Sequence, residues 1–260
     1  MKISAREIAL ISVFSALQII VSRLPGIPIF GLPNSKIEPQ IILMSAIGII
    51  LGPWVGGLTA FIGNFIAWLI PTTTFFGMLM LPTVPIGAIV CGALSRGNSR
   101  SNWKIAAVIL ALLNCLWYLS PPGPLVPYYP IPHLLALALV LAFRNRIYGY
   151  IKSESKRRIG AGVVIASFSG LMANHMVGNL IFIASAHWFI QLKGIKDAIA
   201  SIGFFWLTSG LPKVDPTGLG TTFAVFFPIS IIERTILTAI SSIICVGILY
   251  TLRRSNLIRL

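Results

Sequence analysis

Residues 39–95 contain no Asp, Glu, Lys or Arg, and this uncharged run limits what the chain can fold into. One helix needs about 20 apolar residues to cross a bilayer, so the run is long enough for about three crossings. Over all 260 residues only 10% are charged, whereas soluble domains carry about 25%. Strand-like alternation is absent, which favours helices over a barrel. We therefore predict an all-α transmembrane helical bundle, with residues 1–260 forming a single integral membrane domain.

Apolar runs separated by Pro- and Gly-rich turns give about eight candidate spans. They cover roughly residues 5–24, 38–51, 54–70, 78–95, 104–119, 132–147, 161–187 and 228–252. The second and fifth spans are short, so tilt or partial burial is expected there. The segment 188–222 is long for a connection and rich in Phe and Trp, which predicts an interfacial or re-entrant helix on the outer side. The alternative is a ninth span paired with a tenth.

The net charge of +14 lies mostly at the ends of the apolar runs. This placement is typical of topology determinants, and the chain lacks the basic, aromatic-interleaved patch that binds nucleic acid. With the N-terminus inside, the inner segments hold 14 of the 20 Lys and Arg residues, the outer segments five, and the last span holds Arg234. The asymmetry predicts an even number of spans in the plasma membrane, with both termini cytoplasmic.

Residues that could support catalysis are scarce. The chain has no P-loop, no HExxH, no G-x-S-x-G and no paired carboxylates, and it contains only six acidic residues. Its three cysteines stand singly within apolar runs, without metal-ligand spacing. We therefore expect no enzymatic activity, no cofactor and no metal site.

The third span, within "LGPWVGGLTAFIGNFIAWLIP" (51–71), carries small residues four positions apart. Gly52, Gly56 and Ala60 form one helix face, which allows a neighbouring helix to approach closely. Asn64 ends that face near the middle of the membrane. A buried amide needs a partner, so Asn64 either hydrogen-bonds a neighbouring helix or lines a substrate cavity.

Polar residues also interrupt the last two spans. Asn174, His175 and Asn179 lie close together in the seventh span, where they either hydrogen-bond other helices or bind substrate. Glu233 and Arg234 lie near the start of the last span. Adjacent helix residues diverge by about 100°, so we expect each of these two to have its own partner rather than to pair with the other.

Two further pairs of polar residues lie toward the outer ends of spans. Glu38 and Gln40 follow a Pro- and Gly-rich loop (24–37) that could act as a lid, and they form either an exposed turn or part of a binding site. His133 and His187 are predicted to lie at the membrane interface.

The first span carries a second small-residue pattern. Ala5 and Ala9, then Ser12 and Ala16, are each four residues apart. Such a face either packs within the chain or forms a docking surface for another membrane helix.

Together these features resemble the substrate-binding S component of the energy-coupling factor (ECF) transporters of archaea and bacteria. The resemblance covers about residues 5–95 and 160–252. It rests on the Ala-x-x-x-Ala first helix, the Pro/Gly-rich outer loop, the turn "LGPWVGG", Gly63-Asn64 in the third span, and Pro228 with Glu233-Arg234 in the last. S components usually have six helices, so residues 104–148 look like an inserted hairpin.

The resemblance implies that the chain captures a vitamin or related small molecule at its outer face. It would then dock through its first helix on a membrane coupling subunit that carries two ATPase subunits. The implied docking residues are Ala5, Ala9, Ser12 and Ala16. The candidate substrate-binding residues are Asn64, Asn174, His175, Asn179, Glu233, Arg234, Glu38 and Gln40. Two amides, an imidazole and a Glu/Arg pair suit a polar heterocycle. A stand-alone secondary carrier or an integral membrane scaffold is the alternative.

Overall fold

The computed structural model describes residues 4–28, 36–37, 39–70, 75–96, 102–186, 188 and 214–257. In these ranges the chain forms ten α-helices. They are α1 (Ala5–Ser22), α2 (Met44–Leu51), α3 (Pro53–Leu69), α4 (Phe75–Leu79), α5 (Thr83–Ser95), α6 (Asn102–Leu119), α7 (Ile131–Phe143), α8 (Ile147–Lys152), α9 (Lys156–Ser185) and α10 (Leu219–Arg254). A 3-10 turn, Pro39–Leu43, leads into α2. The predicted all-α helical bundle is confirmed.

The loop after α1 contains the one pair of strands in the described ranges. Strand β1 (Ile27–Pro28) pairs with β2 (Lys36–Ile37) in an antiparallel ladder, with Ile27 opposite Ile37. This ladder brings the two ends of the predicted lid loop together. Residues 29–35 and Glu38 lie outside the described residues.

Within the described ranges, five helical segments are long and apolar enough to cross a membrane, and three apolar ones are shorter. The five are Ala5–Ser22, Phe75–Ser95, Asn102–Leu119, Lys156–Ser185 and Leu219–Arg254. The three are Pro39–Leu51, Pro53–Leu69 and Ile131–Phe143. Each of the eight predicted apolar spans thus contains a helix in its described residues. The fifth was predicted to be short, but α6 has 18 residues because it begins earlier, at Asn102.

Helix α5 lies at the centre of the bundle, packed against α2, α3 and α9. Every residue of α2 is buried. Close approach depends on residues without a large side chain: a methyl group on Gly48 would overlap the carbonyl oxygen of Ala88, and one on Gly56 would lie 3.0 Å from the Cα of Gly48. The close packing predicted for the small-residue face of α3 is therefore confirmed at Gly56.

The turn between α2 and α3 is fixed by two adjacent residues. Gly52 has φ +82°, a backbone conformation that residues with a Cβ rarely adopt. Pro53 occupies the first turn of α3, where its missing N–H breaks no hydrogen bond. The sequence Gly-Pro thus ends one helix and starts the next.

The start of α1 and the residues just after α10 lie at the same end of the bundle. Arg6, near the start of α1, donates a hydrogen bond of 2.9 Å to the carbonyl oxygen of Asn256. Arg253, at the end of α10, donates to the carbonyl oxygens of Ile151 and Ser153, next to α8. This arrangement agrees with an even number of spans.

Helix α10 begins nine residues earlier than the predicted last span. It has 36 residues and contains Pro228 within its length rather than at its start. At about 1.5 Å per residue it is about 54 Å long, which exceeds a hydrocarbon core of about 30 Å. Residues 219–222 of the predicted interfacial segment therefore belong to this helix, whereas residues 189–213 lie outside the described part of the chain.

Asp215 holds the start of α10. Its carboxylate accepts hydrogen bonds from the backbone N–H of Gly218 at 2.9 Å and of Thr221 at 2.7 Å, and from the Thr217 hydroxyl at 3.1 Å. Partial burial acts to raise the pKa of Asp215, but these hydrogen bonds outweigh it and lower the pKa below its ordinary value. The ionised carboxylate is therefore the form that stabilises the helix start.

We expect Asp215→Asn to lower the stability of the full chain in detergent by about 1 kcal/mol at neutral pH, the usual size of a helix-cap effect. The pKa of Asp215 is lower in the folded protein than in the unfolded chain, where an aspartate has a pKa of about 3.9. The stabilisation is therefore present above about pH 3.9 and is lost as the pH falls through the pKa of the folded state. Thermal unfolding of both proteins from neutral pH down to about pH 3 measures the difference. Glu154→Gln, at an exposed acid before α9, is the charge-matched control. A difference that is constant with pH would contradict the assignment.

Candidate functional site

A cleft of about 190 Å³ lies among α7, α9 and α10. Helix α7 packs on α6 and α9, and α10 packs on α9 and α2. The cleft is lined by apolar side chains from all three helices together with a few polar ones. Its polar lining includes Tyr129, His133, His175 and Arg234.

The segment between α6 and α7, "SPPGPLVPYYP" (120–130), forms consecutive tight turns that place Tyr129 inside the protein. Tyr129 is 2% exposed. Its ring stacks on Trp117 of α6, with ring centroids 4.5 Å apart and planes 17° apart, and Phe223 of α10 meets both rings edge-on. This aromatic cluster fixes the Tyr129 ring at the wall of the cleft.

The Tyr129 hydroxyl lies next to two of the predicted site residues. Asn179 donates a hydrogen bond to it from Nδ2 at 3.2 Å. The Nε2 atom of His175 lies 3.5 Å from the same oxygen, which is long for a hydrogen bond. Asn179 therefore acts on the cleft indirectly, through Tyr129, while His175 lines it.

His133 and His175 form a second stacked pair. Their ring centroids are 5.2 Å apart and their planes differ by 19°. His133 is 2% exposed: it is the third residue of α7 and turns inward against α9, while its predicted depth at the membrane interface stays a prediction. His187 lies outside the described residues.

Arg234 has a close ionic contact on one side and a longer polar contact on the other. Its Nη2 atom lies 2.6 Å from Oε1 of Glu233, and its Nη1 atom lies 3.5 Å from Oδ1 of Asn174. The expectation that Glu233 and Arg234 do not pair with each other is wrong. Although their Cα–Cβ bonds diverge, both side chains are long and flexible enough to fold back and meet.

Gln40 and Asn64 form a separate polar contact that does not line the cleft. Gln40 donates a hydrogen bond of 2.6 Å from Nε2 to Oδ1 of Asn64, and Asn64 donates one of 3.1 Å from Nδ2 to the carbonyl oxygen of Leu81. Both amides are buried. Asn64 thus links α3 to the segments that precede α2 and α5. This agrees with the predicted role in which Asn64 hydrogen-bonds a neighbouring part of the bundle.

Sequence reasoning missed Tyr129 and His133 as cleft residues. Both lie in or beside the predicted inserted hairpin, where the proline-rich composition indicated only a loop. A signal was present: "PYYPIPH" (127–133) places two aromatic rings and an imidazole at a helix start. Among the described residues no three His, Cys, Asp or Glu side chains come together as metal ligands.

The small-residue face of α1 points away from the bundle. Ala5, Ala9, Ser12 and Ala16 are all exposed, whereas Phe14, Ser15 and Gln18 are the buried residues of the helix and face the bundle. The described part of the chain leaves this face uncovered, so it can contact lipid or a helix of another protein.

Residues 6–119 match the family model of the ECF transporter substrate-specific component. The resemblance to an S component is confirmed over this segment. The S-component match ends at the last residue of α6, so it includes the first helix of the predicted inserted hairpin and stops before Tyr129. S components are parts of transporters that work with a membrane coupling subunit and ATPase subunits. With the apolar helices, the match identifies an integral membrane protein.

One similar protein is the uncharacterized protein MJ0923 of Methanocaldococcus jannaschii. The two are 33% identical over 155 residues, which make up 59% of this chain and 51% of that protein. The chain therefore spans about half the length of the curated relative it matches. No solved structure gives a significant match to this chain.

The Gln40–Asn64 contact gives a direct test of the role of Asn64. We expect Asn64→Leu or Gln40→Met alone to lower unfolding stability by about 1–3 kcal/mol, because each removes the buried hydrogen bond that joins the two amides. The double variant should be less destabilised than the sum of the two, because it removes both partners. Thermal unfolding of the four proteins in detergent measures the coupling. Strictly additive effects would show that the two amides do not act as a pair.

Proposed function

We propose that this chain is the substrate-capture subunit of an ATP-driven ECF-type importer for a vitamin or related small molecule. The observation that carries the proposal is the match of residues 6–119 to the substrate-specific component of these transporters. The cleft among α7, α9 and α10 supports it, because it combines apolar walls with a few polar side chains, as small-molecule sites do. In this role the chain binds substrate and catalyses no reaction.

The proposed substrate site is the cleft together with the residues that hold its polar side chains in place. His175 and Arg234 line the cleft, Asn179 donates to Tyr129, Glu233 pairs with Arg234, and Asn174 lies beside Arg234. For Gln40 and Asn64, substrate contact stays a separate prediction, since the two amides pair with each other. Glu38 also stays a prediction.

The proposed orientation has both termini in the cytoplasm and the protein in the plasma membrane. The excess of basic residues in the segments that share the side of the N-terminus supports it. The contact between Arg6 and Asn256 supports a common side for the start of α1 and the end of α10. With this orientation the turns at 120–130, and with them the cleft, lie in the outer half of the membrane. That is the side from which an importer takes up its substrate.

The proposed docking surface is the exposed face of Ala5, Ala9, Ser12 and Ala16, and the proposed partner is the membrane coupling subunit with its two ATPases. Helix backbones approach closely only where side chains are small, so a large ring on this face would hold the partner helix away. The same helix packs on α3 through its opposite face. A change on the exposed face therefore leaves the bundle intact.

We expect Ala5→Trp and Ala9→Trp to abolish recovery of the coupling subunit and the ATPases with the purified full chain, while the variants retain the wild-type unfolding midpoint. Ile243→Trp, at an exposed position of α10, is the matched control for a bulky ring facing lipid. Mass spectrometry of the purified complexes identifies the subunits. Recovery of the same subunits with all three variants would contradict docking through α1.

Substrate capture is tested by mass spectrometry of small molecules that co-purify with the detergent-extracted protein. We expect a defined small molecule in addition to lipids. Proteoliposomes with and without the coupling and ATPase subunits then separate the two modes of transport. Uptake that needs ATP and those subunits supports the importer, whereas uptake by the chain alone would identify a stand-alone carrier. Recovery of lipids only would contradict a high-affinity capture role.

A further inference from the structure

We infer that Tyr129 and His133, from the segment that joins α6 to α7 and from α7 itself, form one wall of the ligand site. We also infer that the ligand is a small, uncharged, planar heterocycle with a lactam edge, that is, an N–H donor next to a C=O acceptor. This inference rests on the proposed function, because the cleft is the site at which the substrate would be captured.

The first observation is a set of buried nitrogen atoms without partners. Among the described residues, no hydrogen-bonding group pairs with either ring nitrogen of His133, with Nδ1 of His175 or with Nε of Arg234. All three side chains line the same cleft. Buried polar groups are normally paired, so three unpaired ones around one cavity indicate a ligand that supplies the partners.

The second observation is the chemistry of these nitrogen atoms. A neutral imidazole offers one donor and one acceptor, and a guanidinium offers only donors. A ligand that satisfies both types must carry a donor as well as an acceptor. Adjacent N–H and C=O groups on one ring edge meet this requirement in the smallest space. The imidazole χ2 angle is soft, so a modest rotation turns a nitrogen of His133 or His175 toward the cleft.

The third observation is the charge balance of the cleft. Arg234 is the only lining residue with a permanent charge in the described part of the chain, and Glu233 already neutralises it at 2.6 Å. An anionic ligand would add an uncompensated negative charge to a low-dielectric site, which is costly. The charge balance therefore favours a carbonyl oxygen over a carboxylate as the group that meets Arg234.

The fourth observation is the shape and the apolar lining. Phe168 and Met172 of α9 and Phe227 of α10 line the cleft beside the stacked histidine pair. Aromatic faces and thioethers favour contact with a flat ring. The volume of about 190 Å³ is below the roughly 300–1,000 Å³ of drug-sized sites. It therefore suits one ring or two fused rings.

Uracil is the probe that has every feature of this ligand class, and three analogues each lack one feature. We expect uracil to raise the unfolding midpoint of the purified full chain at millimolar concentration. 1,3-Dimethyluracil lacks the N–H donors, orotate adds a negative charge, and dihydrouracil has lost the planar ring. 1,3-Dimethyluracil should bind about 10-fold or more weakly, as expected for the loss of one well-placed polar contact. Orotate should also bind more weakly because of its uncompensated charge, and dihydrouracil because it loses the flat-ring contact. An equal response to all four, or no response to uracil, would overturn the ligand class.

His133→Phe tests the role of the α7 wall. It keeps a planar ring against His175 but removes both ring nitrogens, so the unliganded protein should unfold at the wild-type midpoint or above it. The midpoint shift caused by uracil should be lost. Leu134→Phe is the control, because Leu134 is adjacent in α7 but does not line the cleft. A uracil shift that survives His133→Phe would overturn the assignment of this wall.

The experiments distinguish failure of the importer proposal from failure of the proposed ligand class. Loss of the coupling subunit from Ala5→Trp together with no response to uracil would retain the importer and reject the ligand class. A selective response to uracil with unchanged assembly of Ala5→Trp would retain the ligand class and reject docking through α1.

Discussion

The close approach of α2, α3 and α5 is the constraint on which the rest of the bundle depends. In a bilayer the hydrophobic effect does not drive helices together, so packing and hydrogen bonds between helices must do so. Gly48 allows α5 to reach the backbone of α2, and Gly56 allows α3 to reach it from another side. With α2 fully buried, helices α1, α9 and α10 can pack around a rigid centre.

Around this centre, two sets of buried polar groups differ in their partners. Some join helices: the Ser241 hydroxyl of α10 donates to the carbonyl oxygen of Ile42 at 2.9 Å and lies 2.8 Å from the Ser45 hydroxyl, and Gln40 pairs with Asn64. The group around the cleft is different, since His133, His175 and Arg234 each retain an unpaired nitrogen in the described structure. The first set stabilises the bundle, and the second set suits recognition of a ligand.

Much of the fold could be predicted from local pattern. The uncharged run 39–95 and the absence of strand-like alternation indicated helices, and Gly52-Pro53 indicated the turn between α2 and α3, because these signals depend on neighbouring residues only. The length of α10 could not be predicted, since Pro228 is typical of a helix start and the hydrogen bonds that Asp215 makes depend on the loop conformation. The pairing of Glu233 with Arg234 also escaped prediction, because backbone direction does not fix where two long side chains end.

The sequence by itself determined that this protein is a helical membrane bundle and that polar residues lie in its last two spans. It also showed the small-residue faces of α1 and α3. Only the tertiary structure decided which polar residues meet. It joined Gln40 to Asn64, and it turned Tyr129 and His133 inward toward His175 and Arg234. The physical reason is that helical periodicity is local, whereas contacts among α7, α9 and α10 depend on the path of the proline-rich turns between α6 and α7.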